Sequence, residues 1–236
     1  MNALLIFLKE PIAGNVKTRL AASIGDTEAV RRYRAMVAVL LEQLEGLQNT
    51  HVRFCYAPDD ASDAIPFWIL PQLRGDVIKR SHDFLFTPDK HAPSFTIDFS
   101  PQGPGNLGER LERASAKAFA DGFQKVALIG SDCIHCGSRW INAAFLQTKP
   151  QHCAIGPSPD GGYYLLATHQ HHPELFSNIT WSSSSTRSET EQAAMNTGLT
   201  VVPLPPLTDI DDEASWDQAI ESAIGGKLKA ALKKEP

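Results

Sequence analysis

The spacing of apolar and polar positions changes several times along the chain, and each change marks an element. Ala3 to Leu8 is an unbroken apolar run, the pattern of a strand covered on both faces. From Asp26, a suitable N-cap, Ala29, Val30, Tyr33, Met36, Val37, Leu40, Leu41 and Leu44 recur at three- and four-residue intervals. This predicts a helix with Arg31, Arg32, Arg34 and Glu42 on its other face, and Val52 to Tyr56 then predicts a second strand. Between Pro58 and Pro104, prolines, aspartates and histidines break the apolar runs, which predicts irregular chain around a short strand or helix.

Regular alternation then resumes. Asn106 with Glu109 matches a capping box, and Leu107, Leu111, Ala114, Ala118 and Phe119 form the stripe of the helix that follows. Strands are predicted at Lys125–Gly130, Cys153–Gly156, Tyr163–Ala167 and Leu199–Leu204, with helices near Ser138–Leu146, Ser188–Thr197 and Asp212–Ala223. Strands alternating with helices predict a single-domain, Rossmann-like α/β fold: a mostly parallel open sheet with helices on both faces. No repeat or linker divides the chain, so residues 1–224 read as one domain and 225–236 as a short terminal helix or tail.

Composition agrees with that class and removes others. With 236 residues, 42% of them hydrophobic, the chain can bury one sizeable core. A formal charge of -5 argues against duplex nucleic acid or an anionic membrane as partner, so any phosphate site must be local. No apolar stretch approaches the roughly 18 residues of a membrane span. The first apolar run also lacks the flanks of a signal peptide, which makes a cytoplasmic protein the expectation. Four cysteines, Cys55, Cys133, Cys136 and Cys153, are too few for a disulfide scaffold. Cys133, His135 and Cys136 do not have zinc-finger spacing, so buried thiols are expected.

Candidate chemistry gathers at predicted strand ends. In open α/β sheets ligands bind beyond the carboxyl ends of strands. The loop after the first strand there carries Lys9, Lys17 and Arg19, with Gly14 to allow close backbone approach, and suits a polyphosphate. Lys17-Thr18 resembles the end of a P-loop, but Val16 and Ile12 occupy the positions that motif reserves for glycine. Gly130-Ser131-Asp132 ends another strand and offers one aspartate for Mg²⁺ or Mn²⁺, or for a helix N-cap. Asp160-Gly161-Gly162 could confine an acid near a ligand or form an ordinary hairpin turn. Asp209, Asp211, Asp212 and Glu213 precede a helix; they could cap it, and one of them could hold a metal. Trp181 with Ser182 to Ser185 reads as a flap or a plain surface loop.

Taken in order, these segments resemble a bacterial family of nucleotide-diphospho-sugar transferase-like proteins, some of them assigned as arsenosugar-biosynthesis glycosyltransferases. The motifs are Lys-x-Pro-x-x-Gly-x-Val-Lys-Thr-Arg-Leu from Lys9, Gln-Gly-x-Gly-x-Leu-Gly-Glu-Arg from Gln102, Gly-Ser-Asp-Cys from Gly130, Gly-Pro-x-x-Asp-Gly-Gly-Tyr-Tyr from Gly156, and Asp-x-Asp from Asp209. The resemblance spans Leu4 to about Trp216 and implies a glycosyltransferase A-type fold, more distantly similar to phospholactate guanylyltransferase. It implies that Lys9, Gly14, Lys17, Thr18 and Arg19 hold phosphates, and that Gln102, Gly105 and Asn106 lie near base and ribose. By the same resemblance Asp132 and Asp211 hold Mg²⁺ or Mn²⁺, and Asp160, Gly161, Gly162 and Tyr163 face the sugar or acceptor; within that reading Asp160 is the candidate catalytic base or sugar contact, and Trp181 the candidate flap residue over the acceptor. Ile134, Asn106 and Ser183 to Ser185 depart from the family's usual residues.

The expected activity is metal-dependent transfer from a nucleotide sugar to a small-molecule acceptor. The alternatives are nucleotidyl transfer from a nucleoside triphosphate to a phosphorylated small molecule, or nucleotide binding without turnover.

Overall fold

The structure is a computed structural model that describes residues 1–73 and 95–235 in full and the backbone of 75–80 and 83–88. Among the described residues nine strands are formed: β1 (Asn2–Lys9), β2 (Thr50–Ala57), β3 (Gly75–Arg80), β4 (Asp83–Pro88), β5 (Thr96–Pro101), β6 (Val126–Gly130), β7 (His152–Pro157), β8 (Tyr163–Thr168) and β9 (Thr200–Pro203). The helices are α1 (Thr18–Ile24), α2 (Asp26–Gln43), α3 (Ala64–Ile69), α4 (Leu107–Ala120), α5 (Ser138–Gln147), α6 (Thr186–Asn196), α7 (Glu213–Glu221) and α8 (Gly225–Leu232).

Seven strands make one sheet in the order β5-β2-β1-β6-β8-β7-β9, and β3 and β4 pair as a separate antiparallel hairpin. The pairs β1·β2, β1·β6, β2·β5 and β7·β9 are parallel; β8 runs antiparallel to both of its neighbours. The sheet is thus mostly parallel, as predicted. Because β8 is reversed, its first residue and the β7–β8 turn lie at the same end as the carboxyl ends of β1 and β6. The chain builds outward from β1 to β2 and β5, then returns to place β6 on the other side of β1. That reversal opens a crevice of the kind that binds ligands in doubly wound folds.

The two periods of β1 explain its unbroken apolar run. Leu4, Ile6 and Leu8 face a core shared with Val37, Leu40 and Leu44 of α2 and with Ile141 and Phe145 of α5. Ala3 and Leu5 face the opposite core, with Ala118 of α4 and Ala194 of α6. Helices therefore cover both faces. The face of α2 beside the main stripe is only partly polar: Ala35 and Val39, together with Met36 of the stripe, are buried in one cluster with Trp216, Ala219, Leu228 and Ala231 of α7 and α8. Arg32 crosses the Trp216 ring at 4.7 Å, while Arg31 donates to the carbonyls of Leu232 and Glu235. The 225–236 segment is thus mostly a helix docked on α2.

Two stretches of the chain depart from the prediction. The Pro58–Pro104 stretch contains α3 and the edge strand β5 of the main sheet. The apolar run of β5 is interrupted by Asp98, whose carboxylate receives Arg53 of β2 through Nη2 at 2.7 Å; Arg53 also reaches Asp121 at 2.7 Å. That ion network crosses three elements and cannot be seen in a local pattern. The short helix α1 escaped notice because it starts at Lys17 without a side-chain cap. No described helix is long and apolar enough to cross a membrane.

Candidate active site

A cleft of about 700 Å³ opens where the carboxyl ends of β1 and β6 meet the β7–β8 turn. It is bordered by Lys9, Lys17, Thr18 and Arg19 from the first loop, Asp132 after β6, Asp160 and Gly162 from the turn, and Asp211 before α7. Tyr163 and Trp181 also line it. Residues separated by more than 190 positions are therefore neighbours, as the resemblance implied.

Lys17 is at the centre. Its Nζ donates to Asp132 Oδ2 at 3.1 Å and to Asp211 Oδ1 at 2.9 Å, and its side chain is only 8% exposed. Burial alone would lower its pKa, but the charges of Asp132 and then Asp211 outweigh it and raise the ammonium to about 12. Reciprocally, burial works to raise the Asp132 carboxyl, and the Lys17 charge and hydrogen bond prevail to hold it below the usual range. Arg19 differs: it is 71% exposed and stands 3.7 Å from Asp211.

The backbone is fitted to this convergence. Lys17 adopts a left-handed conformation, φ 46° and ψ 48°, at the start of α1. A non-glycine residue there stores strain of order 1–3 kcal/mol, which persists only where surroundings enforce it. Gly130 contributes in another way: a β-carbon on it would lie 2.5 Å from Asp132 Oδ1, so the carboxylate folds back over the strand end into space that the glycine leaves open. Ile210 N–H donates to the Asp132 carbonyl at 3.2 Å and ties the Asp209–Asp211 segment to β6.

The β7–β8 turn is held by its own acid. Asp160 Oδ1 accepts from Ser158 Oγ at 2.7 Å and from Gly162 N–H at 2.9 Å, which fixes an exposed carboxylate at the cleft wall. Gly161 has φ +90°, and a β-carbon on it would overlap the backbone of Ser184. The 181–185 segment is therefore seated on the turn, and hydrogen bonds among Thr180, Ser183, Ser185 and Thr186 hold it there. The Tyr163 and Trp181 rings meet edge to face at 6.5 Å.

Four predicted residues stand elsewhere. Gly14 is exposed and outside the cleft lining, with φ +81° that serves its turn. Asn106 caps α4: its Oδ1 accepts from Glu109 N–H at 3.1 Å while the Glu109 carboxylate accepts from Asn106 N–H at 2.8 Å. Gly105 makes room for that same carboxylate. Gly161 acts through the backbone packing just described. Gln102 does border the cleft, but its Nε2 donates to the carbonyls of Leu8 and Cys55, linking the ends of β1 and β2.

Two further side chains belong to the cleft. Tyr33 accepts from Lys9 N–H at 3.0 Å, donates to the Lys9 carbonyl and lies 3.2 Å from Ser131 Oγ. In sequence it is one more position of the α2 stripe, and nothing local marks its hydroxyl. Asp209 has an Oδ1 that is buried without a hydrogen-bond partner among the described residues. Burial first, then the Asp132 charge, pushes its pKa up to about 7. The sequence offers it together with Asp211, Asp212 and Glu213 as cap or metal ligand: Asp212 is the α7 N-cap, pairing with Ser215 in a capping box, and only tertiary structure separates the roles.

Asp132 and Asp211 offer hard carboxylate oxygens of the kind Mg²⁺ and Mn²⁺ take, and an ammonium already bridges them, so the donor set fits a small cation. No cluster of three metal-ligating side chains forms among the described residues. The four cysteines are free and buried, and burial raises each thiol, so the expected inert thiols are found.

Solved structures share this architecture. A protein of Desulfovibrio desulfuricans G20, provisionally described as a nucleotide-diphospho-sugar transferase, matches at 26% identity and a TM-score of 0.73, over 99% of this chain and 98% of its own. A nucleotidyl transferase from Methanothermobacter thermautotroptrophicus shares the fold at 9% identity and a TM-score of 0.55, over 98% and 99%. So does a cytidylyltransferase from Leptospira borgpetersenii, at 12% identity and a TM-score of 0.51, over 99% and 94%. No curated protein matches the chain. One family model matches residues 40–183, more than half of the sequence. The chain accordingly belongs to the family described as an uncharacterized protein conserved in bacteria (DUF2064), and its fold is that of the nucleotide-diphospho-sugar transferase-like proteins.

Proposed function

We propose that the protein is a transferase that takes a nucleotide-activated sugar as donor and uses Mg²⁺ or Mn²⁺ held by Asp132 and Asp211. The observation that carries this reading is the meeting of first-loop cations with strand-end acids in one cleft, centred on Lys17. The similarity to the D. desulfuricans protein over the full chain supports the donor class.

In this mechanism Lys9 and Arg19, both exposed at the rim, attract and orient the diphosphate. A bound divalent cation would supply charge stabilisation for the departing diphosphate. The Tyr163 and Trp181 rings provide an apolar face against which a sugar or acceptor ring can lie. Asp160, its Oδ1 fixed by Ser158 and Gly162, is placed to accept a proton from an acceptor hydroxyl or to orient a sugar hydroxyl. Asp209 lends an acidic group to the same wall.

Incubation with UDP- and GDP-sugars and Mn²⁺ should release a nucleoside diphosphate. Pyrophosphate release from a nucleoside triphosphate would instead assign nucleotidyl transfer, and tight binding without turnover would assign a nucleotide-binding protein. In calorimetry, Asp132→Ala should abolish Mn²⁺-dependent nucleotide binding while the thermal melt stays cooperative. Retention of the Mn²⁺ dependence would remove Asp132 from the site.

A further inference from the structure

We propose that Lys17 is a built-in occupant of the cation site: its ammonium holds Asp132 and Asp211 together in the ligand-free protein and is displaced when a divalent cation enters. The proposal rests on the metal reading of those two aspartates and assigns Lys17 a role that phosphate binding alone does not explain.

Two carboxylates aimed at one point repel unless a positive charge lies between them. Here that charge is Lys17 Nζ, 3.1 Å and 2.9 Å from one oxygen of each. Arg19, the other nearby cation, is exposed and 3.7 Å away, so it does not substitute. The Lys17 side chain is nearly buried, its backbone is held in a left-handed conformation, and its nitrogen is shared by the two acids. A residue that served only phosphate would gain nothing from being folded back between acids. A divalent cation needs the same lone pairs, so ammonium and metal exclude one another. Lysine suits a displaceable occupant: it is a compact charge on a flexible stem, whereas arginine would present a rigid fork. Once displaced, the ammonium is free for the nucleotide's phosphates, so metal and nucleotide should each strengthen the other's binding.

The test is Mn²⁺ binding to the nucleotide-free protein, followed by electron paramagnetic resonance of the free ion. Lys17→Met keeps the buried stem and removes the charge; it should bind Mn²⁺ roughly tenfold more tightly than the parent, within the usual range of such couplings. Lys17→Arg keeps a charge and should remain as weak as the parent. Thermal melts check folding, and Lys17→Gln replaces the methionine variant if that does not fold. In the unsubstituted protein, reductive methylation of Lys17, read by mass spectrometry, should accelerate at saturating Mn²⁺. Asp132-dependent Mn²⁺ binding with unchanged affinity in Lys17→Met and unchanged labelling would overturn the role of Lys17 and leave the metal reading standing. Absence of Mn²⁺ binding in both parent and Lys17→Met at millimolar metal would overturn both.

Discussion

Gly130 and Asp132 flank a single serine, and the strand-end carboxylate depends on the missing side chain. Gly130→Ala would force Asp132 Oδ1 out of its place against the strand, because the added methyl would sit 2.5 Å from that oxygen. Overpacking of this kind costs about 1–3 kcal/mol. The expected outcome is a loss of Mn²⁺-dependent nucleotide affinity of that size, measured by calorimetry, with far-ultraviolet circular dichroism unchanged. At this scale the sequence was informative where a candidate residue follows the end of an apolar run: Asp132 stands just past β6, and Lys17 lies in the loop that leaves β1 at Lys9. It was silent on Tyr33, whose hydroxyl hides inside a helical stripe, and it gave Asn106 a ligand role by resemblance although its side chain closes a capping box.

Among the elements, α2 carries two apolar faces, one on the sheet and one under α7 and α8. The second face went unread because Ala35 and Val39 beside the main stripe look like ordinary helix filling, and their partners lie some 200 residues away, in the predicted helix at Asp212–Ala223 and in a segment read as a terminal helix or tail. Leu228 is fully buried there, so Leu228→Ala should destabilise by about 2–5 kcal/mol in urea unfolding. A result near zero would mean that α8 does not support the core. The joint between β2, β5 and α4 is ionic instead. Burial of Asp98 favours protonation, but the His51 ring nitrogen 3.1 Å away and the hydrogen bonds from Arg53 prevail and hold its pKa at about 2, below the ordinary 3.8. A depressed folded-state value contributes stability above the unfolded pKa, and the contribution is lost as pH falls through about 4 toward 2. Asp98→Asn should therefore be less stable than the parent at pH 6, and the gap should close on acidification. Equal denaturation midpoints at pH 6 would show the network to be idle. The carboxylate is partly exposed, so the effect should be modest.

Across the molecule, the alternation of strands and helices was enough to foretell an open, mostly parallel sheet, since crossover geometry leaves few other arrangements. Strand order and the reversal of β8 were not legible, because they depend on pairings with no local signature. Those two features decide that the Asp160 turn joins the same rim as Lys17 and Asp132. The rim draws on widely separated stretches of chain, from Lys9 to Asp211. Under the proposed function no short fragment of the polypeptide would carry a usable portion of it, and a nucleotide would recognise only the completed tertiary arrangement. Binding energy gained at that rim must then appear as resistance to unfolding throughout the protein, and a partly denatured population would fall silent toward its ligand all at once.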